Sequence, residues 1–226
     1  MNIRCLFALC MAMFWILSAP NAIAEPNAPD AVVQAARQGL RPFLDKIPQK
    51  SLGQFGFDQA DSFDAAVLGT PLLLHTITPS AFKQYQSGAA VTSLLTPTTL
   101  WYFPILIAGQ SKAILVVDRL RDQWQAVSLG YPGLAREWDA ISKQWPESQG
   151  YHPILIAIFQ AHQHVFTVPE KGADNLTLLA PSQMPSNMGK AQATGASPRY
   201  ATLDDAAKVI QNLIPVVENS LKESTP

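Results

Sequence analysis

The sequence predicts an α+β fold, an antiparallel β-meander sheet packed with N-terminal, central and C-terminal helices. Two observations carry that expectation. Three β-rich apolar segments follow one another between residues 100 and 129, separated only by turn-like breaks. Apolar stripes at helical spacing lie before them, directly after them and near the C-terminus.

Taken in order, Val32, Ala36, Leu40 and Leu44 recur every four residues, with Val33, Phe43 and Ile47 beside them, which predicts an amphipathic first helix. Pro42 is expected to kink or restart it, because a proline ring removes a helix hydrogen bond. Gly53 to Gly56 break the pattern, and residues 57–67 read as a short capped helix or turn. Leu72 to Ile77, after Gly69-Thr70-Pro71, reads as the first strand, and a short helix over 80–86 is expected with Ser80 as its cap. Leu100 to Ile107, Lys112 to Val117 and Trp124 to Leu129 then form the meander, with turns expected at Gly109-Gln110 and Asp122-Gln123. Leu134, Trp138, Ile141 and Trp145 mark the central helix, which Pro146 stops.

Residues 152–167 read as a hairpin or one long bent strand, and 175–179 as a further strand. The stretch 181–201 is rich in Pro, Ser, Gly, Met and Ala and reads as a flexible loop. Its Met184, Met188, Lys190 and Arg199 suit a lid or docking segment. Thr202-Leu203-Asp204-Asp205 resembles a capping box opening a last helix, lined by Leu203, Ala207, Ile210, Ile214, Val217 and Leu221 and kinked at Pro215. The order of elements does not by itself choose among sheet-with-helix architectures.

Arg4, the apolar run Cys5 to Ala19 and the small residues of Ala22-Ile23-Ala24 are the pattern of a cleaved signal peptide over residues 1–24. The run is shorter than the ~20 residues of a permanent span. Residues 25–226 are then a single domain, expected in the periplasm or outside the cell. Cys5 and Cys10 both fall in the leader, so the exported body has no disulfide, catalytic thiol or cysteine ligand. No later segment has the apolar length of a transmembrane helix. A formal net charge of −1 without a basic run argues against nucleic acid as a partner.

Three groups of residues are candidates for chemistry. His162 and His164, two apart on a strand, would share a face and could meet one zinc or copper ion, with His152 as a third ligand. Ordinary polar surface is the competing reading, and no other cofactor is expected. Asp58, Asp61 and Asp64 recur every three residues but lack the alternating ligands and central glycine of a calcium loop, so capping and solvation explain them better. The aromatics are either core or the wall of a groove, in which Trp101, Tyr102 and Trp124 would hold a protein partner or a small apolar or peptide ligand.

The sequence holds no Gly-Xaa-Ser-Xaa-Gly elbow, Gly-rich phosphate loop or His-Glu-Xaa-Xaa-His helix. The first expectation is therefore an exported, non-catalytic binding or accessory protein. A hydrolase-like secreted enzyme with an unrecognised site, or a histidine-based metal-binding protein, are the alternatives.

Overall fold

Helix α1 (Asp30–Leu44) turns its apolar stripe inward and buries Val32, Ala35, Ala36 and Leu44. It runs through Pro42 as one helix, without the restart that was one of the two expected outcomes. The proline stands in the last turn, where it costs the helix a single bond to the carbonyl four residues back. The structure, a computed structural model, describes residues 27–172, 175–178 and 204–223. The expected leader (1–24) and the expected loop (181–201) lie outside the described residues.

Two short 3-10 turns follow, Gln49–Phe55 and Phe63–Ala65, and within 57–67 the chain takes the turn rather than the short helix of the two expected forms. They are fastened by charge. Lys112 reaches Asp58 at 3.2 Å and Asp61 at 3.1 Å, and Arg41 pairs with Asp45 and Asp64. The three aspartates thus anchor a surface segment.

Strands β1 (Val67–Leu68) and β2 (Leu72–Ile77) lead to the short helix α2 (Pro79–Gln84). Thr78, not Ser80, caps it, its hydroxyl accepting the Ala81 N–H at 3.2 Å. The meander is β3 (Leu95–Ile107), β4 (Gln110–Leu120) and β5 (Gln123–Gly130). Its turns fall one residue earlier than expected. Ala108–Gly109 and Arg121–Asp122 all have positive φ, as a two-residue turn matching the twist of the strands requires.

Helix α3 (Pro132–Gln144) leads to the hairpin β6 (Ile154–Ile158) and β7 (Gln163–Thr167), then β8 (Asn175–Leu178) and the two-residue β9 (Asp204–Asp205). Helix α4 (Ala206–Glu223) closes the described chain and runs as one helix through Pro215. It starts later than the expected box, because Asp204 and Asp205 pair with β8 and the Asp205 carboxylate accepts the Ala207 N–H at 2.8 Å.

The strands form one mixed sheet in the order β5-β4-β3-β2-β6-β7-β8-β9, with β1 beside β3. All pairs are antiparallel except β2–β6. Alternation along the strands divides the core between two faces. Leu73, Trp101, Phe103, Ile105 and Leu115 pack with α1. Ile77, Ile154, Ile156 and Val165 pack with α4. On the opposite face, Leu72, Leu74, Tyr102, Ile114, Val116, Leu155 and Phe166 lie under α3. The fold is α+β, helices on both faces of a mostly antiparallel sheet.

The α1–β5 contact is close enough to test. A Cβ built on Gly39 would collide with the Ala126 methyl. Gly39→Ala gains about 1 kcal/mol of helix propensity yet is expected to destabilise by a net 1–3 kcal/mol through overpacking. Urea unfolding of the single and double variants checks it. Adding Ala126→Gly should restore most of the loss, and a neutral Gly39→Ala would contradict the packing described.

Candidate functional site

Chemistry gathers around α3. At its start, Tyr131 occupies the left-handed region (φ 57, ψ 47), a conformation costing a non-glycine residue about 1 kcal/mol. Its ring is held by Tyr102 of β3 and His164 of β7. The ring centres are 6.0 Å apart for Tyr102–Tyr131, 6.2 Å for Tyr102–His164 and 6.4 Å for Tyr131–His164. Separations of ~4.5–7 Å are ordinary aromatic packing, so the three rings fill the space between them. Burial lowers the pKa of His164, and burial with the neighbouring Tyr131 raises that of Tyr102.

This arrangement corrects the groups proposed from sequence. His162 does not share a strand face with His164. It sits in the left-handed turn (φ 50) before β7, exposed, so the period-two argument does not reach it. His152 is engaged by Glu170, Nδ1 lying 2.9 Å from Oε1. Among the described residues no group of three or more His, Cys, Asp or Glu side chains could hold one metal ion. The aromatic wall is divided too. Trp101 and Trp124 pack on the α1 side, and Tyr102 on the α3 side, because neighbours in a strand point to opposite faces.

The concave site lies further along α3, and Pro104 creates it. β3 pairs with β1 through Leu68↔Ile105 and Val67↔Leu106, then with β2 from Leu72↔Tyr102. Between the two, Gly69 donates its N–H to the Pro104 carbonyl at 2.7 Å, while Pro104 has no N–H to return. On the β4 side Pro104 stays paired with Ile114, and the register shifts one residue later, between Ile105 and Leu106. The approach is close, since a Cβ on Gly69 would lie 2.6 Å from the Leu106 side chain, whose end would have to turn aside. Beside this break β6 begins only at Ile154, after Pro153, and the sheet steps inward.

Trp138 and Trp145 of the α3 region flank the step, leaving a cleft of about 360 Å³ floored by Pro104 and Leu106. Both tryptophans are mostly core, 8% and 5% exposed, and Trp138 packs on Phe166 at 5.7 Å. The rim is polar, with Thr70, Ser142 and Ser148 presenting hydroxyls and Asp139 and Glu147 carboxylates. Lys143 pairs with Asp139 at 2.5 Å, and among the described residues Glu147 has no ion-pair partner. A smaller cavity of about 210 Å³ lies between Arg41, Gln49 and Asp61, but its Arg41 is already paired with Asp45 and Asp64.

Sequence reasoning missed Pro104, Glu147 and Glu137. A proline inside a strongly β-forming run was the available signal for the first. Glu137 of α3 has a buried Oε2 with no hydrogen-bond partner among the described residues, and burial pushes its carboxyl up to about 7. It does not line the cleft. No helix among the described residues is long and apolar enough to cross a membrane. Comparison with protein-family models, curated proteins and solved structures returns no match.

The shifted groups predict opposite pH dependences. His164 binds protons less readily folded than unfolded, so its contribution is present above the ordinary 6.5 and is lost as pH falls below that value. His164→Phe, which keeps a ring in the cluster, should flatten the decline in stability between pH 6.5 and 5 by up to about 1.4 kcal/mol per pH unit. The remaining slope includes His75, whose pKa burial also lowers. Glu137 acts the other way, its contribution lost as pH rises from 4.5 through about 7. Glu137→Gln should therefore unfold at higher urea than the parent at pH 8 and gain less at pH 5. Parallel stability–pH curves for parent and variants would refute both assignments.

Proposed function

We propose that this chain is an exported, non-catalytic binding domain that takes a peptide segment or small ligand in the cleft beside α3. The observation that carries the reading is the step in the sheet at Pro104, flanked by Trp138 and Trp145 and rimmed by hydroxyls and carboxylates. Its volume falls at the lower end of ligand sites, ~300–1,000 Å³. An apolar floor with a few polar groups at the rim is the composition of such sites. An acid–base enzyme would instead gather perturbed titratable groups in its cleft. Here His164, His75 and Glu137, whose pKa values burial moves, do not line it. The pattern of the first 24 residues supports export.

The test is selection of a displayed random heptapeptide library on the purified protein, followed by calorimetric titration of the enriched peptides. Thr70→Arg and Ser148→Arg, both at exposed rim positions, would fill the cleft without disturbing the core. Each should weaken binding at least tenfold with an unchanged circular dichroism spectrum. An empty selection, or peptides that bind both variants as well as the parent, would overturn the proposal.

A further inference from the structure

We infer that the occupant of the cleft is an extended peptide that adds to the free edge of β1 and lays a lysine or arginine side chain against Glu147, an inference that rests on the binding reading above.

The backbone geometry comes first. β1 pairs with β3 along one edge and with no described strand along the other. β6, which flanks β2 through His75↔Ile156, begins too late to reach β1. An unpaired strand edge is a template for another strand, and peptide recognition by strand addition uses such edges. Gly69 and Thr70, which follow β1 directly, line the cleft. An added strand would therefore run into the cleft.

Side chains agree with this placement. Val67 lies opposite Leu106 in the register, so the two share a face, and Leu106 is on the cleft floor. Val67 is 58% exposed, among the most exposed large apolar residues described. An incoming strand presents alternate residues to one face. One of them can cover Val67 while its neighbour two positions along enters the cleft.

Charge selects what enters. Among the described residues no lysine or arginine lines the cleft, Asp139 is matched by Lys143, and Glu147 is left unmatched. Three rim hydroxyls can accept hydrogen bonds from an ammonium or guanidinium. Tryptophan rings attract a cation within ~6 Å. An acidic side chain would meet Glu147 and, among the described residues lining the cleft, no lysine or arginine. A cavity of about 360 Å³ also suits one long side chain and its flanking backbone better than a folded surface.

The experiment uses the peptides from the selection described above and synthetic analogues of each. Enriched sequences should carry lysine or arginine at one fixed position. Replacing that residue with norleucine should weaken binding about tenfold, as should Glu147→Gln, and the Glu147 effect should shrink at 1 M salt. Methylating alternate backbone nitrogens, which removes strand-pairing donors, should abolish binding. Peptides weakened by Thr70→Arg yet indifferent to norleucine or to backbone methylation would overturn this inference and leave the binding reading standing. An empty selection, or peptides that ignore the cleft variants, would overturn both.

Discussion

Pro104 cannot donate a hydrogen bond, and it stands in β3, the strand that carries β4 on one side and both β1 and β2 on the other. The missing donor faces the β1/β2 side, where Gly69 answers the Pro104 carbonyl and receives nothing back. One ladder bond is therefore missing on that side, and there the chain divides the pairing between two strands with Gly69-Thr70-Pro71 at the joint. The step, the close approach at Gly69 and the cleft all follow from that local fact. On the β4 side pairing continues through Pro104↔Ile114, with a register shift at Ile105/Leu106, so the meander stays joined while the opposite side opens.

The second organising feature is the use of both faces of the sheet. α1 and α4 share one face, over the β3–β5 and β6–β8 regions respectively, and α3 occupies the other. A sheet covered on both sides must be apolar on both. β3 accordingly buries five consecutive residues from Trp101 to Ile105. Runs of this kind put aromatic residues on either side of the sheet without making any of them a binding surface. Tyr102 is absorbed by Tyr131 and His164, and Trp101 by the α1 core.

Much of the fold was legible because its elements are local. Periodicity placed α1, β2, the three meander strands and α3, and the turn signals bounded them. The turns slipped by one residue because Ala108 and Arg121, not glycine or asparagine, occupy positive φ. The cap of α4 moved to Asp205 because pairing with β8 claimed the residues before it, a long-range contact with no local signature. The candidate site was largely illegible for the same reason. It depends on Leu68 meeting Ile105 and on β6 starting at Ile154, contacts between segments far apart in sequence. The paired histidines misled because a strand period was applied across His162, a turn residue.

The parallel join between β2 and β6 bears on how the molecule comes together. Every other pairing among the described strands is antiparallel, and the Thr76 hydroxyl reinforces the join by donating to the Ala157 carbonyl at 2.8 Å. The meander closes through short loops and is complete once β5 has formed. The β6–β7 hairpin must then swing back, led by α3, to a partner some eighty residues upstream. Loop closure of that length is slow compared with hairpin formation. Until it happens, the outer edge of β2 is bare and the apolar residues that pack on β6, β7 and α4 are uncovered. Docking of the C-terminal half is thus the step at which a nascent chain is most exposed to aggregation.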